Sequence, residues 1–252
     1  MLLLEPYAFA ATPTISGSAG AGSGAQYLAT PSPREVWLAG IAGTSVIDVD
    51  LGSARPVGGV YLGFTNAAAG ATWRIQSGTG LGSGLADMLP NGTTFRHAEN
   101  SDPLHPGFAW FPAPVTTRYV RITVLQSGAP LQIGSLAIGA AIERPHELNG
   151  GRGIVDTGSK EALPDGGFGT GDGVVKAAVR WTYSDIGNAD LRALWAFAKR
   201  RGERRPIVAV EYPTDAPVRS EEAHYGLFDK FEAYTREDPD ATRWAMSMTE
   251  WA

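Results

Sequence analysis

The stretch RYVRITVLQSGAPLQIGSLAIGAAIERPHE, residues 118–147, closes one domain and opens another, and the fold class follows from reading it. Over residues 119–125 the character alternates, with Val120, Ile122 and Val124 on one face and Tyr119, Arg121 and Thr123 on the other. That is the period of a half-buried strand. Ser127, Gly128, Ala129 and Pro130 form a turn. A second run begins at Leu131, with Leu131 and Ile133 in one alternation and Leu136 and Ile138 in the next, so the phase slips by one residue around Gly134. A slip of this kind predicts a β-bulge. Past Gly139 the composition changes, as Glu143, Arg144, Pro145, His146 and Glu147 lead out of the strand pattern. The boundary falls near Ala140, giving domains over residues 1–140 and 141–252.

Working outward, the remainder of the first domain is also strand and turn. Short strands are predicted at residues 36–38, 45–51, 59–64 and 72–76, separated by turn residues, as in a β-sandwich. In the second of these Ile47, Val49 and Leu51 face one way and Val46, Asp48 and Asp50 the other. The first residues, MLLLEPYAFAATPT, have no positive leader, and Glu5 and Pro6 interrupt the apolar run, so they read as a first strand or arm rather than a signal peptide. Residues 12–33 and the glycines Gly78, Gly80, Gly82 and Gly84 are loops without dinucleotide or phosphate spacing. Residues 87–114 are either a long functional loop or strand in disguise, with strand expected at 93–97 and 108–111.

The second domain reads as α+β. A glycine-rich segment precedes a strand at residues 174–183, and a helix then starts at Asn188 as N-cap, with Asp190 in its first turn and Lys199, Arg200 and Arg201 in its last. Gly202 stops it in a left-handed conformation, and Leu191, Leu194, Trp195 and Ala198 supply the face that packs on a sheet. PIVAVEY at residues 206–212 is a buried strand, and residues 225–234 and 243–250 form a hairpin about Asp238, Pro239 and Asp240. In the last strand Trp244, Met246 and Met248 alternate with Ala245, Ser247 and Thr249.

Composition narrows the chemistry. With 43% hydrophobic and 19% charged residues, 32 Gly and 17 Pro in 252 residues, the chain is globular, turn-rich and mainly β. A net charge of −5 gives no footing for nucleic acid, no segment reaches the ~20 apolar residues of a membrane span, and the absence of cysteine removes disulfides, thiolate metal sites and thiol nucleophiles. His97, His105, His146 and His224 have no metal-ligand spacing, no Gly-x-Ser-x-Gly elbow surrounds a serine, and no nucleophile, base and oxyanion site assemble. The expectation is no enzyme, no cofactor and no resident metal. Asp48 and Asp50 project from one strand face, the arrangement calcium or glycosidic chemistry would need, or else simply a solvated face. Residues 199–205, KRRGERR, suit phosphate or an acidic partner, but also a helix C-terminus with a solvated face. Trp73, Phe108, Trp110 and Phe111 are the candidate ligand surface, because flat rings stack on sugar faces, with core packing the competing reading.

VWLAG, VIDVDLG, VGGVYLGF and RYVRITV, within residues 36–139, resemble the discoidin or galactose-binding-like jelly roll. LQIGSLAIGAAIERPHE resembles the "IGRLxxG" ending found in tailed-phage tail proteins and their relatives in gene transfer agents, with Ser135 standing where that pattern has Arg. NADLRALWAFAKRRG, PIVAVEYP and WAMSMTEW in the second domain resemble the same group and its distal-tail components. The resemblance implies a virion structural protein of the tail tip or baseplate, made in the bacterial cytoplasm and built with other tail proteins into a homo-oligomeric ring or hub. Its jelly roll would be free to touch host surface carbohydrate. The alternative is a stand-alone carbohydrate-binding protein or an accessory module of a polysaccharide-processing system. The expected fold is mainly β: a jelly-roll sandwich, then a smaller α+β domain with one main helix packed on a sheet.

Overall fold

The computed structural model describes residues 1–95, 104–147, 150–162, 167–214, 220–229, 231–236 and 238–251. The chain runs through β1 (Leu2–Pro6), β2 (Thr14–Ser16), a short 3-10 turn (Ala25–Ala29), β3 (Trp37–Leu38), β4 (Gly43–Thr65), β5 (Thr72–Gly78) and β6 (Ala86–Thr94). It continues through β7 (His105–Gln126), β8 (Gln132–Ile133), β9 (Ser135–Glu143), β10 (Gly151–Asp156), β11 (Ser159–Ala162), β12 (Phe168–Gly171) and β13 (Val175–Ile186). Helix α1 (Asn188–Arg201) follows, then β14 (Ile207–Val210), β15 (Ala223–Phe228), β16 (Thr235–Arg236) and β17 (Thr242–Glu250). The fold is mainly β. Contacts divide it into one unit of Met1–Glu143 with Val208–Ala223 and a second of Arg144–Ile207 with His224–Ala252.

The first unit is a jelly-roll sandwich with strand order β14-β1-β9-β4-β7-β5-β6, and β2 also pairs with β4. β4 and β7 are long enough to serve both layers. Their antiparallel pairing breaks register between Asp50/Arg55, Val57/Gly59 and Leu62/Thr65, and at such irregularities a strand bends. On one side of the breaks residues 43–50 pair with 119–126 and carry β2 and β5, while on the other residues 59–63 pair with β9. Ile47, Val49, Val120, Ile122 and Ile75 from one layer meet Val60, Leu62, Leu136 and Ile138 from the other in a single buried cluster with Trp37 and Leu28. The opening residues form β1, with Leu2, Leu3 and Leu4 fully buried, hydrogen-bonded to β9 on one edge and to β14 on the other.

Two readings of this unit change. The phase slip at Gly134 is a change of strand rather than a bulge: β8 pairs with β3, whereas β9 pairs with β1 and β4. Only glycine fits there, because a Cβ would lie 2.7 Å from the Pro33 carbonyl oxygen and 2.8 Å from Phe64 Cβ. Residues 87–114 contain the strands β6 and the start of β7, and the part of the expected strand at 96–97, with His97, lies outside the described residues. The turn at residues 127–130 is fixed from beneath. Asn66 donates to the Pro130 carbonyl (3.0 Å) and accepts from the Gln132 N–H (2.8 Å), while buried Gln126 donates to Ala129 and accepts from the Ala68 N–H.

In the second unit the strand order is β10-β13-β17-β15, with β16 pairing β17. Val179, Trp181 and Tyr183 of β13 and Trp244, Met246 and Met248 of β17 are buried, as period-2 alternation requires. Leu191, Leu194, Phe197 and Ala198 of α1 are buried too, and Phe197 meets Phe228 of β15 edge-to-face at 6.0 Å. Trp195, assigned to that face from sequence, is instead half-exposed at its margin. Asn188 is not the N-cap. Gly187 occupies that position without a side-chain cap, and Asn188 donates to Asp240 and accepts from Arg236. Gly202 does end the helix, its N–H bonded to the Ala198 carbonyl (2.7 Å), but with φ 56° and ψ −159° rather than left-handed helical angles. The glycine-rich segment contains β10, which pairs antiparallel with β13, and a separate antiparallel ribbon of β11 and β12, and the residues of all three are exposed almost throughout. Among the described residues no helix is long and apolar enough to cross a bilayer.

Candidate functional site

Among the sequence motifs, the carboxylates of VIDVDLG are the nearest thing to a reactive pair. Asp48 and Asp50 lie on the outward face of β4, and Asp48 stands directly opposite Arg121 of β7. Both Asp48 oxygens accept from the Arg121 guanidinium at 2.8 Å. Asp50 is bound the same way by Arg118, at 2.7 and 2.8 Å, and also accepts the Gly52 N–H at 2.7 Å. The bond from Arg118 holds the Asp50 carboxyl below the usual carboxylate range. Arrangements of this kind are fork-to-fork pairs, with each guanidinium filling both oxygens of its partner. The donor set therefore does not suit calcium, and neither acid is placed to move a proton to a substrate. The aspartates of VIDVDLG and the arginines of RYVRITV are one device, a double latch across β4 and β7.

The four aromatic residues do not form one surface. Trp73 on β5 is core, 3% exposed, and meets Phe95 edge-on with ring centroids 4.9 Å apart. Phe111 belongs to the same core. Phe108 and Trp110 have the opposite parity on β7 and stand across from Tyr61 and Gly59 of β4. Phe108 is buried, and its N–H is taken by the Ser220 hydroxyl at 3.0 Å. Trp110 alone of the four is only half-buried, and the next residues, Pro112, Ala113 and Pro114, are exposed.

The histidines are equally dispersed. His105 is buried in β7, where its carbonyl accepts from the Thr65 hydroxyl at 2.6 Å. His224, in β15, places Nδ1 2.7 Å from the Glu250 carboxylate, whose other oxygen accepts the Ala177 N–H. In the basic run at 199–205, Lys199, Arg200, Arg204 and Arg205 are exposed, while Arg201 donates to the Pro206 carbonyl and Arg205 to that of Arg200. This is what a helix C-terminus with open carbonyls favours.

One feature the residue patterns did not reveal is an aromatic groove in the second unit. Trp195, Ala198 and Lys199 of α1 and Gly202 at its end line it from one side, and Phe231 and Trp244 from the other, around about 270 Å³. Trp195 lies 5.7 Å from Trp244 and meets Tyr234 edge-on at 5.9 Å, and the Trp244 indole N–H donates to the Glu232 carbonyl. The sequence signal was Trp195 itself, adjacent to Leu194 and so necessarily at the edge of a stripe set by 191, 194 and 198.

No family model matches the chain, and no curated protein matches it. Solved structures similar to it include chitosan-binding module 1 of the chitosanase/glucanase from Paenibacillus sp. IK-5, at 21% identity over 54% of this chain and 99% of that one, with a TM-score of 0.41. Another is the family 32 carbohydrate-binding module of C. perfringens NanJ in complex with galactose, at 18% identity over 55% of this chain and 98% of that one, TM-score 0.40. A third is the family 32 module of AlyQ in complex with 4,5-unsaturated mannuronic acid, at 24% identity over 53% and 97%, TM-score 0.37.

Proposed function

We propose that this chain binds carbohydrate through its jelly-roll unit and performs no covalent chemistry on it. The observation that carries the reading is Trp110, the accessible ring among the four candidates, held on a bent strand of a rigid sandwich opposite a glycine. The C–H bonds on one face of a pyranose carry partial positive charge and are drawn to the negative face of an indole. The latched aspartates support binding over catalysis, since the acids best placed by sequence are occupied by arginine. A glycan array on the full chain, followed by calorimetric titration of any hit, tests this. Trp110→Ala is expected to weaken binding about tenfold or more, and Trp195→Ala to leave it unchanged. Unaltered affinity in Trp110→Ala, or an array without a hit, would remove the proposal.

A second reading is favoured by β10 and by the ribbon of β11 and β12, whose residues are exposed almost throughout, since extended strands left exposed are open to pairing with another chain. In it the chain is a structural part of a phage or gene-transfer-agent tail tip or baseplate, joined to other tail proteins, with the jelly roll meeting host glycans. Particles purified from producing cells would then contain the chain at fixed stoichiometry by mass spectrometry. Its absence from them would discard this reading.

A further inference from the structure

The sequence contains two Asn-Gly steps, Asn91-Gly92 and Asn149-Gly150, and the first lies wholly within the described residues. It falls in β6, the last strand in the order of the jelly-roll sheet. β5 passes from Trp73 to Ile75 while β6 passes from Thr93 to Leu89, so Pro90, Asn91 and Gly92 stand out of the ladder as a bulge. All three are exposed. The Thr93 hydroxyl donates to the Pro90 carbonyl at 2.8 Å and closes the excursion as a turn with Asn91 and Gly92 at its tip. Gly92 has φ 79°, a conformation glycine takes without strain, and the space beside it is open, since a Cβ there would meet nothing within 4 Å. The other two described asparagines are held in place. The Asn66 carboxamide donates to the Pro130 carbonyl and accepts from the Gln132 N–H, and Asn188, at the start of α1, donates to Asp240 and accepts from Arg236.

We propose that Asn91 is a site of spontaneous covalent modification, because the native fold leaves its carboxamide open to attack by its own main chain. The deprotonated main-chain nitrogen of Gly92 attacks Asn91 Cγ, the Cγ–Nδ2 bond breaks, ammonia leaves and a cyclic imide closes. Water then adds to either imide carbonyl. Opening at one gives aspartate; opening at the other gives isoaspartate, in which the main chain runs through Cγ and is one carbon longer. Water is consumed, ammonia is released, and no group is oxidised or reduced. The ring closure needs a carboxamide that turns freely and a following nitrogen that no side chain shields. Asn91 and Gly92 supply both, whereas Asn66 must first give up two hydrogen bonds and is followed by buried Ala67. Either product adds one negative charge to a chain of net charge −5. The pairs on either side of the bulge, Trp73 with Thr93 and Ile75 with Leu89, are outside the altered bond, so the core they border keeps its packing.

The test holds the native full-length chain for several weeks at mildly alkaline pH in water enriched in heavy oxygen, beside a sample unfolded in guanidinium chloride. Peptide mass spectrometry maps both, with electron-transfer fragmentation to separate aspartate from isoaspartate. Heavy oxygen is expected at residue 91 in both products, at a rate in the native chain close to that in the unfolded one and rising with pH, since the attacking nitrogen is deprotonated. At Asn66 the native rate should fall at least about tenfold below its own unfolded rate, because two hydrogen bonds must break before the ring can close. Asn91→Gln should abolish the conversion and Gly92→Ala should slow it, with unchanged circular dichroism showing that both variants fold. An Asn91 that stays intact in the native chain while the unfolded chain converts would overturn the proposal. So would conversion to aspartate without isoaspartate, which marks direct hydrolysis rather than ring closure.

Discussion

Replacing Asp48 with alanine removes both acceptors from the Arg121 guanidinium and leaves the β4–β7 ladder in place. Its effect can be bracketed from the geometry. An exposed ion pair contributes ~0–1 kcal/mol, whereas removing one partner of a fully buried pair costs ~3–5 kcal/mol. Here the Asp48 side chain is 9% exposed and that of Arg121 24%, with two bonds of 2.8 Å, so the pair lies between these limits. Two charge-assisted bonds in such a setting point to a loss of ~2 kcal/mol. Arg121 has little room to seek other partners, because a Cβ at Gly82 would already collide with its guanidinium. The Asp48→Ala/Arg121→Ala double variant should therefore cost about as much as either single change, giving a coupling of ~1–2 kcal/mol in a double-mutant cycle. Urea unfolding gives the totals, and exchange of the Val120 and Ile122 amides assigns the loss to the jelly-roll unit. A loss below ~0.5 kcal/mol for Asp48→Ala, or two single losses that simply add, would refute the reasoning.

Two further outcomes follow from the same kind of argument. Gly187→Asp should stabilise the second unit by ~0.5–1 kcal/mol, since Gly187 has an ordinary extended N-cap backbone with no side-chain cap and open space where a Cβ would go; a lowered thermal midpoint would count against it. Asp50 is held below the usual carboxylate range by Arg118, so its stabilising contribution is present above the unfolded pKa of ~3.9 and is lost as pH falls through the folded value. The difference in thermal midpoint between Asp50→Asn and wild type should accordingly be largest near neutral pH and shrink in acid, and a pH-independent difference would contradict the linkage.

Much of the sandwich could be read from alternation, because burial on one face of a strand is a local property. Ile47 and Val49 in β4, Val120, Ile122 and Val124 in β7, and Trp244, Met246 and Met248 in β17 all point inward as their spacing implied. What spacing could not show was pairing between distant segments. β14, read as a strand of the α+β half, hydrogen-bonds β1 through Val208, Ala209 and Val210 and so belongs with the jelly roll. The bulge expected at Gly134 failed for the same reason: a phase slip looks identical whether a strand bulges or the chain leaves one sheet for another. The N-cap failed differently. Asn188 has the right chemistry, but Asp240 and Arg236, which claim its side chain, arrive from the far end of the unit.

The candidate site shows how much further parity could have been taken. Phe108 and Trp110 are two residues apart and Phe111 is one beyond, so a strand at 105–126 cannot present all three rings on one face. Treating 108–111 as strand already divided the surface it was meant to form. The aspartates carried the complementary clue: an acidic face on one strand and RYVR on another are what a cross-strand pair looks like before its register is known. Once Asp48 stands opposite Arg121, the two motifs are accounted for by the fold, and any binding function has to be sought in side chains the latch leaves alone. That is the physical reason for testing Trp110 first: it shares the strand that the latch holds fixed, and neither of the two aspartate–arginine pairs involves its ring.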